Sequence, residues 1–178
     1  ENLLVGGEGE AEPADPVTAR TVASVRLLAS ELGLPPDQER DLVLGALLRN
    51  IGQQRPAPDD LQADRLGGEQ WEVFRSHPDA GERTLAAFHG PAAVRDAVRH
   101  HHERFDGRGF PGGLQGRDIP LVARLVAVAQ TFALHGGVTD TETALEAIRQ
   151  QAGTALDPDL VAIFTKAQRR ALAQPVPS

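Results

Sequence analysis

The stretch that decides the fold runs over residues 100–111 and reads HHHERFDGRGFP. It joins three consecutive histidines to a glycine-rich loop that ends in a proline. The residues from Val94 to His101 place apolar side chains at i, i+3 and i+4 and a histidine at i+7, which is the spacing of one helix face. This spacing predicts a helix with His101 on its apolar inner face and His102 beside it.

Helical periodicity continues on both sides of this stretch, and no segment shows the period-two alternation of a strand. The predicted helices run from Asp15 to Gly33, from Pro35 to Gly52, through Trp71 and Phe74 to a stop near Pro78, from Asp79 to Phe88, from Pro91 to the histidines, from Pro120 to His135, and over 141–151 and 158–173. Because apolar residues lie around most of the second helix, we expect it to be the buried central one. The sequence thus predicts an all-α, single-domain bundle of seven to eight helices.

The pattern divides the chain into an acidic linker at residues 1–14, a helical domain at 15–174 and a tail at 175–178. The linker holds four Glu and three Gly and shows no sustained periodicity. The chain contains no Met, even at position 1, which indicates a fragment cut from a longer polypeptide. We therefore expect other domains upstream.

Composition narrows the classes of function. A net charge of −7 argues against general nucleic-acid binding, which depends on Lys and Arg side chains that neutralise phosphates. No apolar run approaches the roughly 18 residues that span a bilayer, so we expect no membrane insertion. The absence of cysteine excludes disulfides, thiolate nucleophiles and Cys-ligated zinc. A cytoplasmic location is the default expectation.

Several short segments, in order along the chain, resemble the HD-GYP family, a branch of the HD-domain metal-dependent phosphohydrolases. The most specific are His101-His102-Glu103, Asp106-Gly107 and Gly109-Phe110-Pro111, in which Phe110 replaces the family's usual Tyr. The resemblance extends from about Leu32 to Phe164 and implies an HD-domain-like fold. Active members of the family hydrolyse cyclic di-GMP with two or three metal ions, usually iron or manganese.

The resemblance also implies metal ligands, and the chain departs from the family at several of them. His77, His101 and His102 match histidine ligands, but no histidine precedes His77, so the family's first ligand is missing. The further departures are Arg49 and Asn50 at the name-giving His-Asp pair, Gln53 at a lysine close to the substrate phosphate, and Gln130 at a later aspartate ligand. Arg49 cannot bind a metal because its guanidinium is always protonated and offers no lone pair.

The surviving histidines allow two interpretations. Three neutral imidazoles without a carboxylate could hold one zinc-like or nickel-like ion, but could not balance the charge of a two- or three-metal cluster. Alternatively, they are relics of the fold that form hydrogen bonds inside the bundle. We expect no cofactor and at most one divalent metal ion. Glu103 and Asp106 could supply a missing carboxylate, although Asp106 is better explained as a brace for the glycine loop.

The loop formed by Asp106, Gly107, Arg108, Gly109, Phe110 and Pro111 also has two interpretations. In the family this loop has been linked to contacts with diguanylate cyclase domains, which predicts an interaction loop here. The alternative is that its glycines simply permit a tight path between two helices.

These features lead to the hypothesis of a degenerate, catalytically inactive HD-GYP domain. It would act as a protein-interaction or regulatory module in bacterial signalling of the cyclic di-GMP type. The expected partner is a protein, either a diguanylate cyclase domain or another domain of the same polypeptide, and a homodimer is left open. One alternative is a metal-dependent phosphohydrolase with a reduced site of three histidines. Another is a sensor that binds cyclic di-GMP without cleaving it.

Overall fold

A computed structural model describes residues 15–53, 66–136 and 140–173, which form seven α-helices, one short 3-10 helix and no strand. They are α1 (Pro16–Leu32), α2 (Pro36–Leu48), α3 (Gly68–Ala87), α4 (Ala92–His100), α5 (Leu121–Leu134), α6 (Thr141–Gln150) and α7 (Pro158–Ala173), with the 3-10 helix at Gly116–Asp118. The predicted all-α bundle is confirmed. The predicted linker at 1–14 and tail at 175–178 lie outside the described residues. Among the helices described, none combines the length and hydropathy required to cross a membrane.

The first helix begins and ends at the residues that the sequence marks. Asp15 Oδ1 accepts hydrogen bonds from Val17 N and Thr18 N, both at 3.0 Å. These bonds satisfy two of the N–H groups that a helix start leaves without an intrahelical partner. Gly33 ends the helix with a φ of 62°, in the left-handed region that glycine adopts without steric cost.

The core is built around α5, so the prediction of the second helix as the central one is wrong. α5 packs against α1, α2, α4, α6 and α7. Its buried residues are Ala123, Leu125, Val126, Val128, Ala129, Gln130, Phe132 and Ala133. In contrast, Leu47 of α2 is 45% exposed, and Ile51 just beyond it is 42% exposed. Apolar residues lie around most of α2, but the described residues pack against only some of its faces.

α3 is one helix that contains Pro78, whereas the sequence predicts a stop there and a separate helix over 79–88. A proline inside a helix has no N–H to donate to the carbonyl four residues earlier, here that of Phe74. The His77 side chain replaces that donor, because His77 Nδ1 lies 2.6 Å from Phe74 O. The helix therefore continues past Pro78 with this carbonyl satisfied.

The segment between α4 and α5 is held by close backbone contacts. Gly109 packs directly on the preceding turn, since a Cβ atom at this position would lie 2.3 Å from Arg104 N. Asp106 N donates to Thr154 O at 2.8 Å, which attaches the loop to the turn before α7. The glycines thus permit a tight path, and the loop has a fixed position against the bundle.

A buried ion pair joins the starts of α5 and α7. Arg124 Nη1 and Asp157 Oδ2 are 2.6 Å apart, and these side chains are 14% and 2% exposed. Arg124 Nε also donates to Ile119 O at 2.9 Å, and Asp157 Oδ1 accepts from Asp159 N at 2.9 Å. Both charges thus have further hydrogen bonds, as a buried ion pair requires.

Candidate metal centre

Three histidines meet at the junction of α3 and α4. His77 lies in α3, and His101 and His102 directly follow α4. One ligand nitrogen from each ring lies within 4.8 Å of the other two. His77 is 2% exposed, His101 is 4% exposed, and His102 is half-buried. The fold therefore assembles the three histidines that the resemblance singles out.

Two of these rings are oriented by backbone carbonyls. His77 Nδ1 lies 2.6 Å from Phe74 O, and His101 Nδ1 lies 2.8 Å from Val98 O. A carbonyl oxygen only accepts hydrogen bonds, so each Nδ1 carries the hydrogen and each Nε2 keeps its lone pair. The two Nε2 atoms face each other at 3.2 Å. Metal-binding histidines are commonly oriented in this way, with the second ring nitrogen held by an outer hydrogen bond.

Burial keeps all three imidazoles neutral at pH 7. It lowers the pKa of His77, and it lowers the pKa of His101 to about 3, with repulsion from His77 adding to the effect. The pKa of His102 falls well below its ordinary value, first through burial and then through repulsion by the other two rings. Because no proton separates the facing lone pairs of His77 and His101, the gap between them suits a cation.

The donor set fits one metal ion. The Nε2 atoms that lie 3.2 Å apart match the roughly 3.3 Å between two ligands of a tetrahedral ion bound at about 2.0–2.1 Å. Neutral imidazoles suit zinc, copper, iron and nickel. Among the described residues no carboxylate belongs to this group. Within the described residues this group therefore supplies no anionic ligand to balance the charge of a second or third ion.

Arg49 is buried near the histidines and adds a positive charge. It is 3% exposed. Its Nη1 donates to Thr18 Oγ1 at 3.1 Å and to Ala46 O at 2.8 Å, so the guanidinium is held between α1 and α2. Its charge contributes to the low pKa of both His101 and His102. The same repulsion opposes the binding of several cations.

The other positions that depart from the family lie in different places. Gln130 is 5% exposed and, together with His101 and His102, lines a cavity of about 130 Å³ between α5 and the loop. Asn50 and Gln53 lie in the turn after α2, where Gln53 N donates to Asn50 O at 2.9 Å. Gln130 therefore lies beside the histidines, whereas Asn50 and Gln53 are absent from the wall of this cavity.

The two carboxylates that could have joined the histidines bind the loop instead. Glu103 is buried and accepts hydrogen bonds from Gly112 N at 2.6 Å and from Leu114 N at 3.0 Å. Asp106 forms a two-point pair with Arg104, at 3.1 and 2.7 Å, which lowers the pKa of the Asp106 carboxyl. Both carboxylates brace the loop, and this is the role that the sequence favours for Asp106.

An aromatic cluster covers the histidines, and sequence reasoning missed it. Phe110 stacks on the His102 ring, with centroids 4.8 Å apart and planes inclined by 18°. Trp71 meets Phe110 edge-on at 5.6 Å, and Phe74 contacts the His77 ring at 5.3 Å. The Phe110 ring thus lies on the inner side of the loop. Trp71, Phe74 and His77 recur every three residues, and that spacing could have indicated their common face.

Comparisons with known proteins agree with this architecture. The profile of the HD domain family matches residues 10–160. A cyclic di-GMP phosphodiesterase of Pseudomonas aeruginosa is 35% identical over 150 residues, which cover 79% of this chain and 36% of that protein. A 3′3′-cGAMP-specific phosphodiesterase of Vibrio cholerae is 34% identical over 106 residues, which cover 59% of this chain and 25% of that protein. The chain thus spans only about a quarter to a third of these relatives.

A solved structure supports the fold. The crystal structure of a cyclic GMP-AMP specific phosphodiesterase of V. cholerae superposes with a TM-score of 0.72 at 20% sequence identity. The superposition covers 88% of this chain and 45% of that one. At this level of identity the likeness concerns the helical arrangement alone.

Proposed function

Because the chain belongs to the HD domain family, in its HD-GYP branch, we propose that it is a catalytically inactive member that serves as a regulatory or protein-interaction module. Its relatives include phosphodiesterases for cyclic di-GMP and for 3′3′-cGAMP. The proposal places the chain in the same kind of bacterial signalling without the hydrolytic step.

The observation that carries this proposal is the buried Arg49 near three neutral histidines. Metal-assisted hydrolysis of a phosphodiester depends on ions that lower the pKa of water and neutralise charge on the phosphoryl oxygens. Several ions in one pocket need anionic ligands, and in the described part of the chain the histidine group contains none. Arg49 adds a fixed positive charge instead. The residues present would hold one ion at most, through His77, His101 and His102.

The braced loop supports the regulatory part of the proposal. Glu103 and Asp106 hold its backbone, and Arg108 is exposed at its outer side. A loop that is already ordered loses little conformational entropy when a partner binds. The partner is a protein in this proposal, either a diguanylate cyclase domain or another domain of the same polypeptide.

Metal content and hydrolysis test the proposal together. The purified chain is incubated with Mn²⁺, Fe²⁺ or Zn²⁺, its metal content is measured by mass spectrometry, and cyclic di-GMP and 3′3′-cGAMP are offered as substrates. The Pseudomonas aeruginosa relative serves as the active control. We expect at most one ion per chain and no turnover. Two or more ions per chain with measurable turnover would overturn the proposal.

A second candidate is a phosphohydrolase that uses a single ion, and the facing Nε2 atoms of His77 and His101 favour it. Their separation of 3.2 Å already suits one tetrahedral ion. Turnover by the Zn²⁺-loaded chain that disappears in His77→Ala would establish this candidate. The cavity beside the histidines does not favour a cyclic di-GMP sensor, because its volume of about 130 Å³ is below the range of about 300–1,000 Å³ that pockets for drug-sized ligands occupy.

A further inference from the structure

Glu103 connects the turn that carries His101 and His102 to the part of the loop that follows Phe110. Glu103 directly follows His102 in the sequence. Its side chain is fully buried and accepts hydrogen bonds from Gly112 N and Leu114 N. A buried carboxylate that accepts two main-chain hydrogen bonds is costly to release, because its charge would be left uncompensated. The loop residues after Phe110 are therefore anchored to the same turn that carries the histidines.

Phe110 connects the middle of the loop to His102. Its ring stacks on His102, and its N–H donates to His102 O at 3.2 Å. Gly109 allows this approach, because a side chain there would meet the backbone of Glu103 and Arg104. A rotation of the His102 ring must consequently move the Phe110 ring or break the stack.

His102 belongs both to this stack and to the candidate metal centre. His77 and His101 already have the nitrogen separation that one ion needs, at 3.2 Å. All three ligand nitrogens lie within 4.8 Å of one another, whereas two ligands of a tetrahedral ion are separated by roughly 3.3 Å. Because His77 and His101 already have the spacing for one ion, any adjustment that three-point ligation requires falls on the His102 ring.

We propose that one zinc-class ion bound by His77, His101 and His102 controls the loop over residues 106–116, and that the His102–Phe110 stack transmits its effect. Glu103 is a positioning residue in this arrangement, because it holds the loop against the turn that carries His101 and His102. The inference deepens the proposed regulatory function by naming what regulates the loop. It does not depend on whether the chain hydrolyses a substrate.

Limited proteolysis tests this coupling. Trypsin cleavage after Arg108, an exposed loop residue, is compared in zinc and in chelator, and cleavage after the exposed Arg169 of α7 corrects for effects of zinc on the protease. Binding at one site usually changes the affinity at a coupled site by about 5- to 150-fold. Zinc should therefore change the rate of cleavage after Arg108 by at least about five-fold. Zinc affinity is measured separately with a chromophoric chelator. An unchanged Arg108 rate in the zinc-loaded wild type would overturn the proposal, as would failure of zinc to bind.

Variants of Phe110 separate transmission from binding. Phe110→Ala removes the stacked ring but none of the three ligands, so it should bind zinc and lose the effect on Arg108 cleavage. Phe110→Tyr keeps the ring and should keep the effect, and Phe88→Ala, at an 81% exposed position, is the matched control. If Phe110→Ala responds to zinc as the wild type does, the stack is not the route.

Glu103→Gln covers the case in which Phe110→Ala does not fold. The amide keeps the size of the carboxylate but only one of its acceptor oxygens. Cleavage after Arg108 should become faster both with and without zinc, because the anchor is weakened in both states. Unchanged loop cleavage in Glu103→Gln would remove Glu103 from its positioning role.

Discussion

His77 and His101 direct their Nε2 atoms at each other across 3.2 Å, while both Nδ1 atoms are bound to backbone carbonyls. In this tautomer neither ring can donate to the other. Two buried lone pairs that face each other repel, and either a cation or the loss of one carbonyl bond relieves the repulsion. The contact is therefore the point at which a bound ion should affect the fold most.

Zinc should stabilise the protein through this contact. We expect one Zn²⁺ per chain, and free zinc at about 100 times Kd should add about 2.7 kcal/mol to the free energy of unfolding. His101→Ala should abolish the effect, whereas His89→Asn, at an exposed position outside the cluster, should retain it. Calorimetric titration and thermal unfolding with and without zinc measure both quantities. Stabilisation that persists in His101→Ala would rule out this site.

Without metal, stability should fall as the pH drops below about 6.5, the ordinary pKa of histidine. The pKa of His101 is about 3 in the folded protein. Between these two values the unfolded chain binds more protons than the folded one, so the free energy of unfolding decreases with falling pH. His101 accounts for roughly 1 kcal/mol per pH unit in this window. Urea unfolding in chelator at several pH values checks the slope, which His101→Asn should reduce but not abolish, because the pKa values of His77 and His102 are lowered as well.

Removal of Arg49 should raise zinc affinity. Its charge helps to lower the pKa of His101 and His102, and the same repulsion acts on a bound cation. We expect Arg49→Met to bind zinc roughly tenfold more tightly, which corresponds to about 1.4 kcal/mol. Arg20→Met, another arginine-to-methionine change but within α1, is the control. Weaker binding by Arg49→Met would mean that Arg49 positions the histidines rather than opposing the ion.

Loss of the buried pair between Arg124 and Asp157 should destabilise the fold strongly. Arg124→Met leaves a carboxylate that is 2% exposed without its cation, and breaking a buried pair in this way costs about 3–5 kcal/mol. Arg117→Ala removes an exposed pair with Asp159, whose side chains are 80% and 70% exposed, and should cost about 1 kcal/mol or less. Urea unfolding of both variants measures the difference. Equal losses of unfolding free energy in the two variants would contradict the burial of the Arg124–Asp157 pair.

Gly109→Ala should displace the loop. Its Cβ atom would lie 2.3 Å from Arg104 N and 2.6 Å from the Glu103 Cα, and these backbone atoms cannot rotate away. We expect a loss of about 1–3 kcal/mol, together with a change in the fluorescence of Trp71, which contacts Phe110. Gly67→Ala meets no atom within 4 Å and should be close to neutral. An unchanged Trp71 spectrum in Gly109→Ala would show that the aromatic cover does not depend on the path at Gly109.

Local chemistry explains why most helices could be predicted from the sequence. Asp15 and Gly33 mark the ends of α1 because capping depends on a few neighbouring atoms. The stop at Pro78 was predicted wrongly by the same local logic. A prediction from local sequence takes account of the N–H that Pro78 lacks. It does not take account of the His77 side chain, which binds the Phe74 carbonyl in place of that N–H.

The site was harder to predict, because its geometry depends on contacts between distant parts of the chain. His77 and His101 are 24 positions apart, and no periodicity links them; only the family resemblance did. The inward position of Phe110 depends on the close backbone approach at Gly109, which composition and spacing do not reveal. The burial of α2 was overestimated, because the apolar residues of a helix do not reveal how many other helices will pack against it.

The proline inside α3 has a chemical consequence for the residue before it. Any other residue at position 78 would bring an N–H that competes for the Phe74 carbonyl and could displace the His77 ring from it. His77 could then place its hydrogen on either nitrogen. Pro78 thus selects the tautomer of a neighbouring histidine, and a residue usually regarded as a helix breaker determines which ring nitrogen is available to a metal ion.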